Sequence, residues 1–391
     1  MQCELGDVSN VYDGTHQTPA YRENGVMFLS VENIDSLHSN KFISEEDYYK
    51  DFKIFPEKGD ILMTRIGDVG TPKVIETEQK LAYYVSLALL KIKTSDSYFI
   101  CYSIMSPFVQ KEILSKTLVT ATPKKINKSD INKVKIYISK ISKEQRKISK
   151  FMNKLDSIIT LEQQKIDNLE LLKDYLLQNM FVNEDESPNL RFSNFKEEWI
   201  QYELSELVVQ KKSYSLSRSV ETNDETGYKY IHYGDIHTNK VNLVSDDRLL
   251  PNIVPGDYEL LEKDDLILAD ASEDYDGIAW PSVIICNPIN KIVAGLHTIV
   301  LRPHRISSIF LYYHIHTLTF RKFGSKVGTG MKVFGITAKN LLKYKLYIPT
   351  FDEQIKIQKI LLLLDKTITL EQTKLEKLDR LKQKLLSSLF I

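Results

Sequence analysis

The sequence predicts a mixed α+β protein built twice over: two similar globular blocks, each followed by a long helix. Three observations carry that prediction. Residues 141–181 and 350–390 match without a gap at 19 of 41 positions, at an offset of 209. Both stretches carry apolar residues at alternating spacings of three and four, the mark of a long helix with one buried stripe. Each follows a segment of about 140–150 residues in which short apolar runs mix with helical ones. A repeat of this length sets the architecture before any local reading does.

The elements follow in order. The first block occupies 1–140, the first long helix 141–182, a connector 183–200, the second block 201–349 and the second long helix 350–391. The blocks align weakly with each other: Glu4–Val8 with Glu203–Leu207, GVMFLSVENID (25–35) with GYKYIHYGDIH (227–237), EKGDILM (57–63) with EKDDLIL (262–268), and SLALLKIK (86–93) with HTIVLRPH (297–304). These short runs, bounded by Gly, Asp and Pro, read as strands. Residues 98–116 and 309–323 read as buried helices, with Pro107 a kink or break in the former. KVKIYI (133–138) and LYIP (346–349) close the blocks as short strands. The connector starts acidic at Glu184, Asp185 and Glu186, and Leu190, Phe192, Phe195 and Trp199 are placed to anchor it.

The chain has 391 residues with 52 Lys+Arg against 52 Asp+Glu. The zero balance hides a local field. Between Lys111 and Lys150 there are 12 basic residues and 3 acidic ones, while Asp270–Asp276 is acidic. A local basic surface attracts phosphate even when the whole chain is neutral. Cys3, Cys101 and Cys286 are isolated and odd in number, which argues for a reducing compartment and against a zinc site or disulfide frame. No apolar run approaches 18 residues and the N-terminus lacks the shape of a signal peptide, so the expectation is a cytoplasmic protein with no membrane span.

Catalytic signatures are missing from the sequence. Gly328-Thr329-Gly330-Met331-Lys332 has neither the spacing nor the hydroxyl of a phosphate loop. Asn287-Pro288-Ile289-Asn290 lacks the second proline and the aromatic of an adenine-methyltransferase loop. His314 and His316 stand two apart in an apolar helix, a pattern of core histidines rather than metal ligands. The expectation is a chain that catalyses nothing and holds no cofactor or metal.

Two kinds of loop present nucleic-acid chemistry. The first is Val11–Tyr21, where Thr15, His16 and Gln17 offer donors and acceptors at close spacing, Gln being able to pair bidentately with adenine. Its counterpart in the second block is Gln210–Arg218, with Lys211, Lys212, Tyr214 and Arg218. The second kind precedes each closing strand: 117–130 with Lys124, Lys125 and Lys128, and 324–340 with Lys326, Thr329 and Lys332. Small residues there let backbone approach a phosphate, and phosphate contacts would position each block while a few side chains read base edges. Arg65, at the end of the run 56–65, joins this candidate set. An adaptor whose duplicated blocks bind proteins, or an enzyme with an unrecognised site, are the competing readings.

The segments DGTHQTP (13–19), PEKGDILMTR (56–65), LRFSNFKEEW (190–199), GTGMKVFGITAKNLLKYKLYIP (328–349) and the duplicated helices, taken in order, resemble the DNA-specificity subunit of a Type I restriction–modification system across nearly the whole chain. The sequence starts a few residues before Glu4 with no match to Leu190–Trp199, so either the start is trimmed or the protein does without that element. The resemblance implies two target recognition domains, each reading one half of a bipartite, asymmetric site in double-stranded DNA. It implies long helices that pair antiparallel as a coiled coil about a pseudo-two-fold axis. It also implies partners: two modification subunits carrying S-adenosylmethionine and methylating adenine N6, and two motor-nuclease restriction subunits using ATP and Mg.

Given antiparallel pairing, the heptad seam suggests a register. It runs through Met152, Leu155, Ile159, Glu162, Ile166, Leu169, Lys173, Leu176 and Met180, and again through Leu361, Leu364, Ile368, Glu371, Leu375, Leu378, Lys382, Leu385 and Leu389. Setting Glu162 opposite Lys382 and Lys173 opposite Glu371 places every apolar layer against an apolar layer. The alternative is that these four side chains reach out to the surface of a wider bundle.

Overall fold

Each block is closed by pairing its first strand with its last. Gln2–Glu4 pairs antiparallel with Lys135–Tyr137, and Ile200–Glu203 with Lys345–Ile348. The computed structural model describes residues 1–182, 187–275, 277–330 and 332–390. Glu184, Asp185 and Glu186 of the connector lie outside them, as do Asp276 of the acidic run and Met331 of the second loop. The chain divides into two units, Met1–Lys165 with Glu371–Ile391, and Ile166–Leu370.

In the first unit an antiparallel sheet runs in the order Ser9–Asp13, Leu87–Ile92, Ile61–Thr64, Pro72–Val74. Its two central strands are buried on both faces, which is why their sequences are unbroken apolar runs rather than alternating ones. Ile61, Met63, Ala88 and Leu90 face helices and pack with Phe99, Ile100 and Ile113. Leu62, Leu87 and Leu89 point the other way, onto a smaller sheet in which Val26–Leu29 lies parallel to Leu81–Tyr83. The second unit repeats the plan. Leu266–Ala269 and Thr298–Pro303 sit centrally in a five-stranded sheet, with Leu266, Leu268 and Leu301 on one core and Ile267 and Val300 on another. Tyr228–Ile231 there runs parallel to Lys291–Ala294.

Two local expectations change. Leu5–Val8 is a helical turn rather than strand, and Leu204–Glu206 is a 3-10 turn. The reason is a reciprocal cap: Glu4 N–H donates to Asp7 (2.9 Å) and Glu203 N–H to Glu206 (2.8 Å), a box that the spacing Glu-x-x-Asp/Glu encodes. The apolar helices are each broken in two. Ser97–Met105 and Pro107–Lys116 separate at Ser106, which caps the second helix with Pro107 at its first position. Ser308–Ile315 and Leu318–Val327 separate without a proline, because the Thr317 hydroxyl caps the second.

The long helices span Ser142–Asn179 and Phe351–Leu389. Their repeated motifs are tied to the blocks in the same way twice. Gln145 accepts from Asp96 N–H and donates to the Ser139 carbonyl, while Gln354 accepts from Ser307 N–H and donates to the Pro349 carbonyl. Tyr102 donates to Asp156 and Tyr313 to Asp365, each at 2.7 Å. The terminal phenylalanines of the repeat are fully buried, Phe390 against Phe99 and Phe181 against Phe310, at centroid distances of 5.0 and 4.9 Å.

The two helices run antiparallel in both units, but the register is not the one expected. Glu162 pairs with Lys374 and Glu371 with Lys165, each at 2.5 Å. Lys382 pairs with Asp156 (2.7 Å) and Lys173 with Asp365 (2.6 Å). This is about one heptad from the alignment that set Glu162 opposite Lys382 and Lys173 opposite Glu371. Along the seam Met152, Leu155, Ile166, Met180, Leu361 and Ile368 are buried, Ile159, Leu169, Leu364, Leu375 and Leu378 are half-buried, and Leu389 is exposed. The polar seam residues do not face one another. Each turns to the edge of the seam and takes a partner outside it. The Lys165 ammonium, more than any other group, holds the Glu371 carboxyl below the usual carboxylate range.

Candidate nucleic-acid interface

The two basic loops are built alike. In the first unit Leu118 N–H donates to the Lys125 carbonyl (2.7 Å), closing the loop, and Ile126 N–H donates to the Arg65 carbonyl (3.0 Å). Gly67 N–H donates to the Lys124 carbonyl (2.9 Å), so the loop is docked on the turn after Ile61–Thr64. In the second unit Thr329 and Gly335 exchange both backbone hydrogen bonds, and Ile336 N–H donates to the Asp270 carbonyl (2.9 Å). Phe334–Gly335 then pairs with Ala271–Ser272. Ile126 and Ile336 are the buried anchors of the two loops. Gly330 has φ +143, and a Cβ there would lie 1.9 Å from the Val333 carbonyl oxygen, so only glycine fits.

Lys124, Lys125, Lys128, Lys326 and Lys332 are all exposed, and Thr329 beside them is too. None of the five lysines has an acidic partner among the described residues. Unpaired lysines on an anchored backbone are suited to phosphate, which they meet without first breaking an ion pair.

The loop after Ser9–Asp13 meets the first basic loop through one residue. Arg65 is buried, with its guanidinium on Asp13 and on the Ile126 carbonyl. Arg65 is among the candidate DNA-contacting residues; the structure turns it inward, where it fastens the loop bearing Thr15 to the loop bearing Lys124. Thr15 is held by backbone bonds to Tyr83 and Val85, and His16 and Gln17 stand exposed beyond it. A Cβ at Gly14 would lie 2.4 Å from the Tyr83 carbonyl oxygen, which accounts for the Asp-Gly turn.

In the counterpart loop of the second unit most charges are already committed. Lys211 pairs with Glu259 (2.5 Å), and Arg218 grips Asp235 through two bonds and Glu221 through a third. The Tyr214 hydroxyl accepts from Glu259 N–H (2.6 Å). Lys212 alone of this group keeps its ammonium free among the described residues. Two residues that the sequence reading passed over lie under the second basic loop: Asp270 and His297, with Nδ1 3.1 Å from Oδ1. The alignment of EKDDLIL with EKGDILM, run two residues on, puts Asp270 at the place of Arg65 and would have found it.

Comparison with known proteins decides what this plan is. The sequence model of the Type I restriction modification DNA specificity domain matches the chain twice, over residues 1–171 and 196–380. The chain belongs to this family. As a specificity-domain protein it has the fold of solved relatives at low identity. The S subunit of the Type I restriction–modification system from M. genitalium is 15% identical with a TM-score of 0.63, covering 100% of this chain and 96% of that one. A chain from a study of complex assembly and conformational transition of the Type I R-M system is 14% identical with a TM-score of 0.56, covering 99% and 96%. Among the described residues of this specificity-domain protein, no helix is long and apolar enough to cross a membrane.

Proposed function

We propose that the chain reads a bipartite, asymmetric site in double-stranded DNA, one half-site per block, and holds the working subunits of a Type I restriction–modification complex in place. The observation that supports this most is the recurrence of one device: the same closed, lysine-bearing loop, anchored by the same isoleucine, at the same place in both repeats. Two methyltransferase subunits, carrying S-adenosylmethionine, and two motor-nuclease subunits, using ATP and Mg, supply the chemistry. The chain itself supplies address and geometry, so the purified chain alone should show no methyl transfer, nuclease or ATPase activity.

The unread spacer is about six base pairs. Two blocks on one face of B-DNA place their half-site centres about one turn, or roughly 10 bp, apart. Half-sites of about 3 and 4 bp then leave roughly 6–7 bp between them. Helices of 38 and 39 residues are long enough for such a ruler, at about 57 Å for a rise of 1.5 Å per residue. Methylation-aware sequencing of DNA from cells carrying the complete system should show a split motif with that gap. A contiguous motif would count against the proposal.

The loops divide by role. Lys124→Ala or Lys332→Ala should weaken binding of all duplexes alike and lower the salt dependence of binding by about one counterion, as loss of a phosphate contact does. Gln17→Ala should leave the salt slope unchanged and relax one base position in one half-site. Fluorescence-anisotropy titrations at several salt concentrations separate these outcomes.

A further inference from the structure

We infer that Asp270 is the residue with which the second block reads a cytosine, and that His297 positions it. This rests on the reading of the basic loops as DNA contacts and adds a base to it. Asp270 follows the central strand Leu266–Ala269, and its carbonyl receives Ile336 N–H, so it lies directly beneath the second basic loop. Its own N–H donates to the His297 carbonyl (3.0 Å), and its Oδ1 meets His297 Nδ1 at 3.1 Å. The second carboxylate oxygen, Oδ2, has no protein partner among the described residues, and the side chain remains 32% exposed. Tyr233 packs edge-on against the His297 ring at 5.2 Å and fixes its plane.

The backbone around this carboxylate is strained on both sides. His297 has φ 54 and Ala279 has φ 55, in the left-handed region that residues with a Cβ seldom enter. Both touch the same strand end: Ala279 N–H donates to the Ala269 carbonyl, and the His297 carbonyl accepts from Asp270. Strain of this kind gathers where a fold positions something for use. Burial raises the pKa of the Asp270 carboxyl and His297 only partly offsets it, so the group is short of donors.

A carboxylate short of donors at a DNA-facing loop selects for an exposed amino group. In the major groove cytosine presents its N4 amino group, whereas the keto oxygens of guanine and thymine would repel the charge, and adenine sets its N7 acceptor beside N6. The first block has no such reader at the aligned position, because Arg65 is turned inward onto Asp13. The effect is therefore confined to one half-site.

The test is methylation-aware sequencing of cells carrying the complete system with Asp270→Asn, and separately with His297→Asn, a residue that tolerates positive φ. Asp270→Asn should lower the preference at one C·G position of one half-site by on the order of 10- to 100-fold and leave the other half-site intact. His297→Asn should weaken the same position to a lesser degree. An unchanged motif in both variants overturns the assignment. Should Asp270→Asn give no modified sites, competition between duplexes altered at each C·G pair, with the purified full chain, decides: lost discrimination at one cytosine upholds it, and retained discrimination overturns it. The wild-type motif separates the two ideas. A contiguous wild-type motif overturns the two-half-site reading, whereas a split motif that Asp270→Asn leaves intact overturns only the role of Asp270.

Discussion

Replacing Arg191 with methionine should destabilise the second unit by about 3–5 kcal/mol, the usual cost of leaving a buried ion without its partner. Glu353, in the first turn of the second long helix, is fully buried, and Arg191 of the connector meets both its carboxylate oxygens at 2.8 Å. The guanidinium is a planar fork that matches a carboxylate bidentately. It also donates to the Glu197 carbonyl, so one side chain folds the connector back on itself and onto the helix. Methionine keeps much of the stem's packing and removes every donor, which isolates the charge effect. Lysine should fall between, since it restores the charge without the fork. The decisive comparison is Arg191→Met with Glu353→Gln against Arg191→Met alone, in urea melts of the full chain. The double variant should recover most of the loss, because no ion is then left buried. Equal midpoints for the single and double variants would show that packing, not the stranded carboxylate, carries the effect.

The second unit should also lose stability in mild acid. His314 is 1% exposed, its Nε2 lies 2.8 Å from the Tyr344 hydroxyl, and its Nδ1 has no partner among the described residues. Burial pushes its pKa down to about 3. In the unfolded chain a histidine titrates near 6.5. Between these values the unfolded state binds a proton that the folded state refuses. Stability is therefore fully present above about pH 6.5 and falls as pH drops toward 3, by up to about 1.4 kcal/mol per pH unit. From pH 7 to pH 5 the loss expected from His314 is about 2 kcal/mol. Burial lowers the pKa of His316 in the same direction, opposed by its bond to the Tyr312 carbonyl. Urea midpoints measured from pH 7 to 5 should fall for the wild type and fall about half as steeply for His314→Gln, because His316 keeps its share of the slope. A variant that kept the full slope would assign the acid sensitivity to other groups.

The long helices, the central strands and the doubling of the blocks were legible because each leaves a pattern in the chain: a gapless repeat, apolar runs such as LALL at 87–90, and 3–4 spacing. The helix register was not. Its ion pairs join Glu162 to Lys374 and Glu371 to Lys165, and Lys165 and Lys374 lie off the apolar seam, so no rule about the seam itself could find them. The break at Thr317 was hidden because it rests on a hydroxyl cap rather than on a proline. At the candidate interface the lysine loops were visible as composition. The inward turn of Arg65 and the meeting of Asp270 with His297 were not, because each depends on partners 27 to 61 residues away in the chain.

The helix pairing carries a trace of ancestry. Asp156, Glu162, Lys165 and Lys173 of one helix occupy the same places as Asp365, Glu371, Lys374 and Lys382 of the other, and each acid takes the base of the opposite helix. A surface that is its own complement is the hallmark of two identical chains meeting across a dyad. Here the two halves are one polypeptide. Fusion of such a pair frees its members from having to remain the same. The self-complementary helices are kept, while the loop at 11–21 and its counterpart at 210–218 have lost all common sequence. A homodimer can address only a palindrome; under the proposed two-half-site reading, its fused descendant can evolve each half of its address independently.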